Sequence, residues 1–113
     1  MKKVQAHIRT NRLEAVKAAL EDINVLGMSV TETRGFGRQQ GRTETFRGSA
    51  YALNLVPKLK IEIIVADEMV DEVIDAIIQT TQTGELGDGK IFVSEILDAV
   101  RIRTGERGNS ALE

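Results

Sequence analysis

An α+β sandwich of the ferredoxin-like, split βαβ kind is what this sequence predicts, and three observations carry the prediction. Two stretches, Val4–Ile8 and Leu59–Val65, alternate apolar with polar residues at period two. Each is followed by apolar residues at helical spacing and then by a β-rich segment, so the order β-α-β occurs twice. A long polar excursion separates the two units. Short connections and right-handed crossovers then give an antiparallel sheet with both helices on one face.

The elements follow in chain order. Val4, Ala6 and Ile8 alternate with Lys3, Gln5, His7 and Arg9, the pattern of a half-buried strand. His7, the only histidine, falls on the polar side and reads as a surface residue with no metal partner. Leu13, Val16, Leu20 and Ile23 then recur at helical spacing, with Asn11 as the expected N-cap and Gly27 as the expected stop. Met28–Phe36 is rich in β-branched residues and predicts a second strand. Residues 37–56 are polar, arginine- and glycine-bearing and without sustained period, which suits either a mobile excursion or a docking loop. Pro57 closes the excursion and the third strand follows through Val65. Asp67 is placed to cap a second helix whose stripe is Val70, Val73, Ile74, Ile77 and Ile78. A fourth strand is expected from Lys90 to about Val93, a short last strand from Val100 to Thr104, and a loose tail over 105–113.

At 113 residues the chain predicts a single domain, 1–113, whose two helices cover one sheet face only. Ile64, between Ile63 and Val65, suggests that the other face is partly apolar too, which favours a closed homo-oligomer. The net charge of −2 and 4% aromatic content argue against direct nucleic-acid binding. The absence of cysteine excludes disulfides and thiol chemistry. No apolar run approaches membrane-spanning length and the N-terminus lacks a signal h-region, so a cytoplasmic location is expected.

The stretch T-G-E-L-G-D-G-K-I-F-V at 83–93 holds the chemistry. Gly84, Gly87 and Gly89 can take positive φ, so bare N–H groups converge with the Lys90 ammonium on an anion such as phosphate. Gly84 and Gly89-Lys90 have P-loop spacing, but Ile91 offers no hydroxyl to Mg²⁺. The order is also helix, loop, strand, so no helix N-terminus faces the ligand. Extra cations are then required, and Arg101 and Arg103, two apart in V-R-I-R, are expected on one strand face. The plainer alternative is a glycine-rich turn with solvated arginines. One histidine and no cysteine provide no catalytic set, so no enzyme is predicted. A small ferredoxin-like phosphohydrolase using the same cradle is the alternative, and it lacks a positioned base. An RNA-recognition fold shares the element order but lacks the aromatic surface.

Four separated motifs, R-G-F-G-R-Q at 34–39, F-R-G-S-A-Y at 46–51, the 83–93 stretch and R-I-R-T-G-E at 101–106, resemble those of the PII nitrogen-regulatory signalling proteins across the whole chain. The resemblance implies a homotrimer with ATP or ADP in the clefts between subunits, and 2-oxoglutarate bound together with Mg-ATP. Gly87, Asp88, Gly89, Lys90, Arg38, Arg101 and Arg103 would meet the phosphates, and Ser29, Gly35, Glu62 and Ile64 the base and ribose. Gln39 would coordinate Mg²⁺, Lys58 would pair with the distal carboxylate of 2-oxoglutarate, and main-chain N–H groups near Gln39, Gln40, Gly41 and Gly87 would complete that pocket. Residues 37–55 would be the target-docking T-loop and 82–90 the B-loop, with Tyr51 and Ser49 as candidate sites of uridylylation or phosphorylation. The implied function is a transducer of nitrogen, carbon and energy status. Its implied targets are an ammonium channel, N-acetylglutamate kinase, a transcription co-regulator or a modifying enzyme, with membranes approached only by docking to a channel. Phe46, Ala50, Ser29 and Thr10-Asn11 depart from the usual family pattern.

Overall fold

The computed structural model describes residues 1–35, 44–46, 49–51 and 56–113. Strands β1 (Lys2–Ile8), β2 (Ser29–Gly35), β5 (Val56–Val65) and β6 (Ile91–Glu95) form one antiparallel sheet in the order β2-β5-β1-β6. Helices α1 (Leu13–Asp22) and α2 (Val70–Thr81) pack on one face. That is the expected ferredoxin-like arrangement, with β5 and β1 central because they carry the longest apolar alternation. Within the excursion, β3 (Glu44–Phe46) pairs with β4 (Ser49–Tyr51), a ladder too short to show a period in the sequence.

Val4, Ala6 and Ile8 of β1 and Leu59, Ile61, Ile63 and Val65 of β5 point into the core. Val16 and Leu20 of α1 and Val73 and Ile77 of α2 meet them, each such side chain contributing about 1.5–3 kcal/mol on burial. The open face is more polar than Ile64 had suggested. Lys3, Gln5 and His7 of β1 lie in register with Ile64, Glu62 and Lys60 of β5, and Ser29 and Thr31 of β2 face Glu62 and Lys60. Ile64 is half-buried beside Lys3, and Phe92, across from Gln5, is the other large apolar group there among the described side chains.

Four expectations are corrected. Neither Asn11 nor Asp67 caps its helix; both helices are entered through 3₁₀ turns, Thr10–Arg12 and Asp67–Met69, in which Arg12 N–H reaches Arg9 C=O at 3.0 Å and Met69 N–H reaches Ala66 C=O at 3.0 Å. The Asp67 carboxylate instead takes the Met1 ammonium at 2.6 Å. The first helix stops at Asn24 rather than Gly27: Asn24 has φ +64°, and Val25 N–H to Leu20 C=O (2.9 Å) with Asn24 N–H to Glu21 C=O (3.0 Å) closes a Schellman motif. No strand spans Val100–Thr104; a lone bridge pairs Val100 with Arg107, and Thr104 and Gly105 N–H groups turn back onto Arg101 C=O. The tail is not loose, because Gly108–Leu112 forms a 3₁₀ turn held to Arg101. Gly105 and Gly108, at φ +75° and +71°, make the reversal that the V-R-I-R alternation concealed.

Candidate anion-binding site

The loop between α2 and β6 has the backbone its glycines permit. Gly84, Gly87 and Gly89 take φ values of +84°, +98° and +99°. At Gly89 no other residue fits, because an added Cβ would lie 1.8 Å from the His7 carbonyl oxygen. His7 N–H donates in turn to Lys90 C=O at 3.2 Å, so β1 fixes the far end of the loop.

Asp88 fixes the near end. Its carboxylate accepts from Thr83 N–H at 2.8 Å, Gly84 N–H at 2.9 Å and the Thr83 hydroxyl at 2.5 Å. The Arg9 guanidinium pairs with the same carboxylate and donates also to Leu86 C=O at 3.1 Å. The Thr83 hydroxyl and Arg9 hold the Asp88 carboxyl far below the usual carboxylate range, with the Thr83 and Gly84 amides adding to the effect. With its carboxylate so engaged, Asp88 braces the loop instead of presenting a free anionic oxygen to a ligand.

Lys58, only 8% exposed, donates from Nζ to Gly87 C=O. Burial lowers its pKa, the Arg9 charge lowers it further, and Asp88 partly opposes them. A carboxylate or phosphate oxygen arriving at Gly87 would therefore meet an ammonium short of counter-charge. The structure thus gathers Lys58, Gly87, Asp88, Gly89 and Lys90 at one end of the sheet.

The other predicted site residues are not gathered there by a single chain. Ser29 and Glu62 face each other across β2 and β5, with Ile64 beyond them, and Glu62 is paired with Lys60 at 3.4 Å and Lys3 at 4.0 Å. Ile64 lies six positions along β5 from Lys58, or about 20 Å of strand. Gly35 is the exception: it pairs with Val56, two positions from the Thr33–Lys58 pair, and so lies at the same end of the sheet as Lys58. Arg101 does not stand beside Arg103 on a strand: its guanidinium pairs with Glu106 at 2.9 Å and donates to the Ser110 and Glu113 carbonyls, at 2.9 Å for Ser110. Among the described residues, Arg103 has no ion pair. Arg38, Gln39, Gln40 and Gly41 lie outside the described residues, as do the side chains of Ser49 and Tyr51.

Arg9 and Thr83 were missed in the sequence. Arg9 lies 79 positions from Asp88, and nothing local marks the pairing. His7 was assigned to the surface, yet its main chain abuts Gly89 and Lys90. An apolar cavity of about 470 Å³ lies between α2 and β6, lined by Ile74, Ile77, Ile78, Ile91 and Val93. Its other end reaches the loop, where His7, Asp88, Gly89 and Lys90 line it, so the cavity adjoins the cradle from the helix-covered side of the sheet.

Fold and loop together define a ferredoxin-like domain with a glycine-rich loop, braced by Asp88 and Arg9, at the end of its sheet. The family profile described as "Nitrogen regulatory protein P-II" matches residues 1–106, and the chain belongs to that family. It is 52% identical over 112 residues to the nitrogen regulatory protein P-II of Haemophilus influenzae, covering 99% of this chain and all of that protein. The Rhodospirillum rubrum protein of the same name is also 52% identical and the Escherichia coli K12 nitrogen regulatory protein P-II 1 is 50% identical, each over the same coverage. No helix among the described residues is long and apolar enough to cross a membrane.

Proposed function

We propose that this chain is a nitrogen-status transducer that binds ATP or ADP at the 83–90 loop and, with Mg-ATP, 2-oxoglutarate beside Lys58. The observation that carries the proposal is the tied loop: three positive-φ glycines, braced by Asp88, Arg9 and the β1 main chain, next to two lysines. Main-chain N–H groups held in advance bind a polyphosphate without an ordering cost at the moment of binding. Gln39 is assigned to Mg²⁺, and Gln40 and Gly41 to 2-oxoglutarate, from the family pattern.

The division of the site supports the homotrimer that the family pattern implies. Ser29, Glu62, Ile64, Arg101 and Arg103 reach a nucleotide on the cradle when a neighbouring copy supplies them. Leu97, two residues past the end of the edge strand β6, and Ile102, in the turn that follows, are 97% and 100% exposed and are apolar surface that such a neighbour would cover. Arg101 must exchange Glu106 for phosphate in doing so. The segment 37–55 then docks on partners such as an ammonium channel, N-acetylglutamate kinase, a transcription co-regulator or a modifying enzyme, ligands shifting its population among states. Tyr51 and Ser49 are the residues assigned to covalent modification. The protein acts from the cytoplasm and has no catalytic role.

Calorimetry tests this directly. ATP and ADP should compete for one class of site, and 2-oxoglutarate should bind only after Mg-ATP. Binding of 2-oxoglutarate without nucleotide, or its failure to bind with Mg-ATP present, would overturn the mechanism. Light scattering should give three chains per particle.

A further inference from the structure

The main chain of the single histidine lies directly against the cradle. His7 is tied to the cradle at both main-chain groups, its N–H on Lys90 C=O and its C=O against the Gly89 α-carbon. Its Cα is thereby fixed one residue from the loop, which keeps the imidazole near it. By strand alternation it lies on the open face with Lys58 and Lys60, away from the core side occupied by Ala6 and Ile8. It is half-buried, edge-on to Phe92 with ring centres 6.4 Å apart, and its Nε2 is 3.4 Å from Gln5 Nε2.

The charged neighbours can be followed strand by strand. Lys60 is directly opposite on β5, with Lys58 and Glu62 on either side of it. Arg9 follows two positions on along the chain and is paired with Asp88. Lys3 precedes on β1, and Lys90 flanks on the β6 side. The acids here are already engaged, Glu62 with Lys60 and Lys3, and Asp88 with Arg9. A polyphosphate brings several new negative charges onto Gly87–Lys90, and opposite charge nearby favours the protonated form of an imidazole.

We propose that His7 takes up a proton from solvent when a nucleoside polyphosphate occupies the cradle, so that this protein binds its nucleotide more tightly as pH falls through the neutral range. Histidine is the side chain suited to this, since it changes charge between about pH 5 and 8. By linkage, the tightening on acidification and the upward move of the imidazole midpoint on binding are one free energy seen from two sides. The inference rests on the cradle being a polyphosphate site and adds a proton to its occupancy.

Having one histidine makes the test unambiguous. The imidazole C2–H proton resonance is titrated in the free trimer, with saturating ATP, and with adenosine as a neutral control. ATP should move the midpoint to higher pH and adenosine should not. Calorimetry in two buffers of different ionisation enthalpy should show greater proton uptake by the natural protein than by His7→Gln, which cancels protons taken by ATP itself. Between about pH 8 and about pH 6 the natural protein should gain roughly threefold more affinity than the variant, as expected of a partly solvated charge pair. ATP binding with an unmoved midpoint and identical pH slopes would overturn the proposal for His7 alone. No ATP binding at any pH would overturn the polyphosphate reading, and this inference with it.

Discussion

Two regions rich in glycine and charge, the 83–90 loop and the turn at 98–113, are held in opposite ways. The first is secured by contacts from far along the chain: Arg9 to Asp88, Lys58 to Gly87, and the His7 main chain to Gly89 and Lys90. The second is secured mainly by its own residues, Arg101 to Glu106 and Ser110, and Asp98 to Arg107 at 2.8 Å and Gly108 at 3.3 Å. Contacts that cross the fold form only when the whole domain folds, so the first region is as rigid as the sheet. Local contacts on exposed side chains open at little cost, so the second can exchange partners.

Substitutions can break this contrast, beginning with the largest effect. Gly89→Ala places a methyl carbon on the His7 carbonyl oxygen, and urea denaturation should show a loss of about 3 kcal/mol or more. Gly105→Ala, at φ +75° with nothing within 4 Å, should cost only about 1 kcal/mol. Equal losses would remove the distinction between the regions.

Asp88→Asn sharpens it. The amide keeps only one acceptor oxygen for Thr83, Gly84 and Arg9 and loses the charge opposite Arg9, and ATP affinity by calorimetry should fall roughly tenfold through lost preorganisation. The sign with pH is fixed as well: a depressed carboxyl stabilises the fold above its unfolded value near about 3.8 and loses that contribution as pH falls through the folded value. Acid denaturation should therefore be shallower in Asp88→Asn than in the natural protein. Smallest is Glu106→Gln, which removes an exposed pair worth about 0.5 kcal/mol to the fold. Its use is in binding: freed from Glu106, Arg101 should raise ATP affinity a few-fold, and an unchanged affinity would mean that Arg101 never leaves the tail.

Much of this was legible in advance. Period two over Val4–Ile8 and Leu59–Val65, and helical spacing over Val70–Ile78, follow from burial of one face, which a sequence records residue by residue. The same alternation misled at V-R-I-R, where Gly105 and Gly108 turn the chain before a strand can pair. The helix starts were misplaced because 3₁₀ turns satisfied the first amides in place of side-chain caps.

By itself the sequence determined the layers of the sandwich, the family motifs and the glycines able to take positive φ, because each depends on local geometry or on spacing along the chain. Only the tertiary structure decided that Asp88 turns inward to Arg9, that Lys58 is buried against Gly87, and that the lone histidine lies against the cradle. Those relations join residues distant in the chain through the register of an antiparallel sheet, and register is settled when the whole core packs.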